Sequence, residues 1–155
     1  TVGSPAKVEL ARAHGCDHII DYTTENFTQR VRDITGGEGV PVVYDGVGKD
    51  TFTGSLDCLR PMGMMVSYGN ASGPVPPVDL IQLSQKGSLF ITRPTLMSYT
   101  AKRADLLALG TELFDRVASG QVRVEINQRY ALRDAAQAHR DLEARRTTGS
   151  TILLP

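Results

Sequence analysis

Short apolar runs that stop at turn residues alternate along this chain with stretches whose apolar positions fall three, four and seven apart, predicting strands and helices in turn. Ser4 before Pro5 predicts a helix start and Gly15 its end, so the first helix covers residues 5–14. Residues 16–22, centred on His18, Ile19 and Ile20 and closing on Asp21 and Tyr22, predict a short strand. Asn26 caps a second helix in which Phe27, Val31 and Ile34 share a face, and Gly36 and Gly37 end it. Val42, Val43 and Tyr44 then run into Asp45-Gly46-Val47-Gly48. This predicts a strand buried on both faces, of the kind found in parallel sheets, ending at a tight turn. Asp50 caps the next helix, with Phe52, Leu56 and Leu59 inward, and Pro61 and Gly63 break it before a strand at 64–67. A small-residue loop at 68–73 leads through Pro74, Pro76 and Pro77 to a short helix at 78–85, which Gly87 ends. The strand at 88–92 begins at Ser88 and ends at Thr92, where Arg93-Pro94 stops it.

From Ser98 the texture changes. Leu106, Leu109, Leu113 and Val117 make an apolar stripe on a long helix over 103–119, closed by Gly120. Residues 122–126 alternate as a half-exposed strand, 132–145 form a helix with Ala135, Ala138 and Leu142 inward, and 151–154 a terminal strand. These last pieces leave the earlier rhythm and read as a different packing unit. The alternation before them predicts an α/β fold: a parallel sheet with right-handed crossovers, covered by helices.

At 155 residues, 41% apolar and 22% charged, the chain can form one soluble globular domain with a full core. Its seventeen basic and seventeen acidic residues leave no net field to draw nucleic acid or an anionic membrane, so neither is expected as a partner. Cys16 and Cys58 lie far apart without a CxxC partner; they read as small buried hydrophobes in a reducing, cytoplasmic setting. There is no long apolar run and no charged-then-apolar leader, so no membrane span or secretion signal is expected. The start at Thr1-Val2-Gly3 reads as the end of something, and the chain as a fragment.

His14, His18 and His139 are not spaced for a metal, and Ser67, Ser84 and Ser88 lack a G-x-S-x-G setting. The helix start at Ser4-Pro5 offers N–H groups and a partial positive charge with Lys7 one turn in. That fits a phosphate, and it fits an ordinary capped helix with a solvated lysine equally well. The Asp45 to Gly48 turn likewise reads either as a ligand rim or as a turn where glycine satisfies a positive φ. The loops at 46–48, 68–73 and 93–96 all follow strands, so one sheet edge would carry all three, as a dinucleotide laid across strand ends requires. The G-x-G-x-x-G turn usual for such a ligand is not in the chain.

Ile34-Thr35-Gly36-Gly37, the run from Val42 to Gly48, Ser55-Leu56-Asp57-Cys58-Leu59, Met65-Val66-Ser67-Tyr68-Gly69-Asn70, Gln85-Lys86-Gly87-Ser88-Leu89 and the ending from Arg145 to Pro155 make a recognisable set. With them the chain resembles the NADPH-dependent quinone oxidoreductases, of the zinc-independent branch of the medium-chain dehydrogenase/reductase superfamily. The resemblance implies a partial Rossmann domain, a doubly wound parallel sheet lacking its first strand, over residues 1–97. A linking helix at 98–120 and a return at 121–155 to a missing GroES-like catalytic domain would follow. It implies that Gly3, Ser4 and Lys7 hold the adenosine 2′-phosphate of NADPH and that Tyr22 packs near that end. Val47 would lie on the adenine or ribose side, Tyr68, Gly69, Asn70, Ala71, Pro94, Thr95 and Leu96 near the nicotinamide half, and Arg145 would reach back toward the cofactor. The implied reaction is hydride transfer to a quinone or other conjugated carbonyl compound, with no residue here as catalytic acid or base, no metal, and no activity in the fragment alone. A homodimer through the strand from Ser88 to Thr92 is expected, since its Leu89-Phe90-Ile91 edge is apolar. Two rivals stay open: another medium-chain reductase, either an enoyl reductase or an alcohol dehydrogenase, and a non-catalytic fragment that binds cofactor or nothing.

Overall fold

The computed structural model describes all residues, Thr1–Pro155, in two compact units, Thr1–Leu96 and Met97–Pro155. In the first, helix α1 (Pro5–Ala13) and helix α2 (Phe27–Ile34) precede strand β1 (Val40–Asp45), helix α3 (Phe52–Asp57), strand β2 (Leu59–Ser67), helix α4 (Ile81–Gln85) and strand β3 (Phe90–Thr92). The strands form one parallel sheet in the order β1-β2-β3, so the expected α/β class is the one the chain adopts.

The register explains the core. Val43 pairs with Met65 and Met65 with Ile91, so these three share a face. Phe52 and Leu56 of α3 pack on that face with Leu59 and Leu89; Met65 is fully buried at its centre. The opposite face is different, and here the expectation of a strand buried on both sides fails. Val42 pairs with Met64 and Met64 with Phe90, and all three are exposed, as is Tyr44, at 73%. β1 is an edge strand and β2 the central one, so the most buried strand is the second.

Other departures have local causes. Residues 16–22 form no strand, because their only ladder partner is Val2: a single parallel bridge joins Val2 and Asp21, with Val2 N–H donating to the Ile20 carbonyl at 2.9 Å and Tyr22 N–H to that of Val2 at 3.1 Å. Cys16 is exposed, while Cys58 is buried as expected. Asn26 caps α2 by accepting from Gln29 N–H, but α3 starts after Thr51 rather than Asp50, whose N–H donates to Ser72 Oγ instead. β2 begins earlier than expected, at Leu59, and absorbs Pro61 and Gly63 in a bulge. Val40 pairs with Leu59 but Val42 with Met64, and Met62 takes φ 58° there, donating its N–H to the Gly87 carbonyl. α4 and β3 are shorter than expected, and Ser88, at φ 58°, lies outside the strand.

The second unit holds helix α5 (Leu96–Tyr99) at its boundary, helix α6 (Arg103–Ala118), strand β4 (Ile126–Ala131), a 3-10 turn (Leu132–Asp134), helix α7 (Ala135–Glu143) and strand β5 (Ser150–Leu154). β4 and β5 are parallel neighbours, so β4, α7 and β5 form one more strand-helix-strand unit, against the expectation that the rhythm stops. The strand expected at 122–126 lies at Ile126–Ala131, where β5 supplies a partner. Of the apolar positions expected inward on α7, Ala138 is buried and Leu142 exposed; Leu106, Leu109, Leu113 and Val117 of α6 are all exposed. No helix is long and apolar enough to cross a membrane.

Arg32 ties α2 to the sheet. Its guanidinium donates to the carbonyls of Gly37 (2.9 Å), Glu38 (3.0 Å), Asp57 (2.6 and 3.1 Å) and Leu59 (3.0 Å). Arg32→Ala strands these acceptors and is expected to cost about 2–4 kcal/mol, read from the urea midpoint. Arg32→Lys should recover only part, since one ammonium cannot match the planar fork; an unchanged midpoint for either variant contradicts the clamp.

Candidate functional site

Because the strands are parallel and in register at Tyr44, Val66 and Thr92, the turns that leave their carboxyl ends meet on one sheet edge. The first turn is built on Asp45, 4% exposed. Its Oδ1 accepts the N–H groups of Val47 (2.8 Å) and Gly48 (3.0 Å), and its Oδ2 the hydroxyls of Thr51 and Ser55, each at 2.7 Å. Thr51 and Ser55 stand four apart around the start of α3 and so face the same carboxylate. Burial by itself would raise the Asp45 pKa; the donors, Gly48, Thr51, Ser55 and Val47, outweigh it and hold the group below its ordinary value.

The second turn lies on the first. Tyr68 N–H donates to the Asp45 carbonyl (2.9 Å), Ala71 N–H to Gly46 (3.2 Å), and both Ser72 N–H and Oγ to Val47 (2.8 Å each). Contact is close enough that a Cβ on Gly69 would stand 2.3 Å from the Gly46 oxygen, and one on Gly46 would strike the Tyr68 ring at 2.9 Å. From the end of β3, Arg93 Nη1 donates to the Ser67 carbonyl (3.0 Å), Ser67 Oγ (3.2 Å) and the Gly69 carbonyl (3.1 Å). The side chains left outward are Val47, Tyr68 (59% exposed), Asn70, Ala71, Thr95 and Leu96 (72%), with Pro94 half-buried.

Gly3 and Ser4 follow Val2 of the Val2–Asp21 bridge and Tyr22 follows Asp21; a Cβ on Gly3 would meet the Tyr22 hydroxyl at 2.3 Å, and Lys7 N–H donates to the Ser4 carbonyl at 3.1 Å. Ser4 has the extended backbone of an N-cap, but its side chain makes no capping bond. The first turn of α1 holds no acidic residue, and half-buried Lys7 lies within it. Arg145 belongs to the second unit, where it closes α7 at φ 58°. The sequence pattern puts Asp45 on the rim without its role, and Arg93, Ser55 and Ser72 in the loops and segments named above with no site role; Thr51 is not singled out. The four-residue spacing of Thr51 and Ser55 behind Asp45 was the available signal.

A family described as zinc-binding dehydrogenase matches residues 14–153. The quinone oxidoreductase of Pseudomonas aeruginosa is 58% identical over 100% of this chain and 48% of its own length. The 2-haloacrylate reductase of a Burkholderia species is 47% identical over 100% of this chain and 47% of its own. The crystal structure of Escherichia coli quinone oxidoreductase complexed with NADPH superposes with a TM-score of 0.95 at 47% identity, covering 99% of this chain and 48% of that one. The chain thus spans about half the length of the relatives it matches. No three His, Cys, Asp or Glu side chains come together here as a group that could hold a metal ion.

With its folded pKa depressed, Asp45 contributes its stability in full above the ordinary carboxylate value of 3.8 and loses it as pH falls through the depressed value. Asp45→Asn should cost about 1–3 kcal/mol at neutral pH. The Tm gap between native and variant should narrow as the solution is taken to about pH 3; a gap that stays constant contradicts an ionised Asp45.

Proposed function

The chain belongs to the zinc-binding dehydrogenase family, and on that premise we propose that it carries much of the nucleotide site of an NADPH-dependent reductase acting on quinones or other conjugated carbonyl compounds. What carries the reading is the rim itself: three strand-end turns bonded to one another on one edge of a parallel sheet, with Val47, Tyr68 and Leu96 outward. Exposed apolar and aromatic side chains among small residues suit the flat rings and riboses of a nucleotide. Gly3, Ser4 and Lys7 would hold the 2′-phosphate, since an α1 start with no carboxylate and a nearby ammonium favours an anion. Tyr22 would pack beside them, Val47 along the adenine or ribose, Tyr68 to Ala71 and Pro94 to Leu96 along the nicotinamide half, and Arg145 would reach toward the cofactor. Bound NADPH supplies the hydride; the chain's own residues orient it and give the acceptor a face to approach.

The relatives' names support the chemistry: quinone oxidoreductases and a 2-haloacrylate reductase. The latter favours a second reading in which the acceptor is a conjugated acid, separable by comparing turnover of 9,10-phenanthrenequinone and a 2-haloacrylate by the protein expressed from its natural gene. The same assay on the 155-residue chain, expected inactive, tests whether the remaining half is required. In this reading residues 1–97 bind the nucleotide, 98–120 link, and 121–155 return to a catalytic domain. The enzyme is zinc-independent, which metal analysis checks, and cytoplasmic, as its two unpaired cysteines suit.

Titration calorimetry of the chain should show NADPH bound more tightly than NADH. Lys7→Ala should weaken NADPH about tenfold and leave NADH unchanged; silence from both nucleotides refutes the reading.

The proposed dimer rests on β3, an edge strand whose Phe90 is 56% exposed. Phe90→Glu should convert a dimer to a monomer in gel filtration, and an unchanged elution volume rejects that interface.

A further inference from the structure

We propose that Arg93 is a positioning residue of this nucleotide site, acting through the backbone of Tyr68 rather than on the ligand; the proposal rests on reading the rim as that site. The ladder explains why such a residue is needed. The β2–β3 pairing runs through Val66 and Thr92, and there β3 ends. Ser67, still paired with Asp45 of β1, and Gly69 after it therefore lie past the last β2–β3 pair, where β3 has no residue left to face them.

Arg93, the first residue past β3, supplies the missing donor. Its Nη1 stands 3.0 Å from the Ser67 carbonyl and 3.1 Å from that of Gly69, one on each side of Tyr68, with Ser67 Oγ at 3.2 Å. The third restraint comes from the other side, where Tyr68 N–H donates to the Asp45 carbonyl. Asp45 in turn is held by its own four donors. An anion at the end of β1 and a cation at the end of β3 thus fix the peptide between them, and the Tyr68 ring lies over Gly46 as a result. One guanidinium nitrogen, Nη1, holds all three oxygens and so ties the chain on both sides of Tyr68, and its loss frees Tyr68 to Asn70 to sample other conformations.

The test compares two ligands. In Arg93→Met, which keeps much of the stem and loses the charge, NADPH affinity should fall about tenfold, while adenosine 2′,5′-bisphosphate, which lacks the nicotinamide half, binds as to the native chain. Equal losses for both ligands, or none, overturn the proposal. Arg93→Lys offers one charged nitrogen in place of the one that makes these bonds, so NADPH affinity and protection at residues 67–71 should recover together or fail together; recovered affinity with protection still lost means a direct charge contact with the ligand and overturns the proposal. Amide hydrogen exchange supplies a readout independent of nucleotide. Residues 67–71 should exchange faster in Arg93→Met while Met65 and Leu56 stay protected, and unchanged protection at 67–71 overturns the proposal. Should the native chain bind neither ligand, the function reading fails and the exchange result still decides the role of Arg93.

Discussion

A carboxylate removed from water is tolerated only where donors surround it, and Asp45 meets that condition by drawing four groups from the chain around itself. Two come from the turn it begins and two from the helix that follows. The single anion thereby sets where β1 stops, how the Gly46 to Gly48 turn bends and where α3 starts. The 68–73 turn is then laid on a surface already fixed, through bonds to the carbonyls of Asp45, Gly46 and Val47. Removing the charge would loosen not one contact but the order in which these pieces depend on one another.

The cage also settles what the corner offers a ligand. Backbone N–H groups of a glycine-containing turn ahead of a helix are ordinarily available to a phosphate. Here those of Val47 and Gly48 are taken by Asp45, and the carbonyls of Gly46 and Val47 by the neighbouring turn. What remains outward is Val47, Tyr68, Ala71 and Leu96 with the uncharged polar Asn70 and Thr95, which suits the uncharged parts of a nucleotide. In the proposed reading an anionic group is met instead at α1, whose first turn holds no acidic residue and includes Lys7.

Much of the first unit was legible because hydrophobic period and glycine or proline punctuation report local geometry directly. α1, α2, β1 and the end of β2 lie close to where Ser4-Pro5, the Phe27-Val31-Ile34 face and the Val42 to Asp45 run put them. What escaped was partnership. His18 to Asp21 has the composition of a strand but only Val2 to pair with, and Val122 and Val124 alternate correctly yet stay outside β4, whose bounds are set by β5. Burial on both faces of β1 was likewise a statement about neighbours, and the Val42, Met64 and Phe90 row has none covering it. The Arg93 bridge could not be read from spacing, because it joins residues 24 to 26 apart whose proximity follows only from the parallel register.

That register has a consequence for where binding energy can originate. The hydrogen bonds that join the turns to one another, from Asp45 to Arg93, lie within Thr1–Leu96. The first unit thus supplies these bonds from its own residues. In the proposed reading, the turns are already bonded to one another before a nucleotide meets them. Preorganisation of this kind lowers the ordering cost of binding, so the rim should discriminate among ligands through shape even where it supplies little charge.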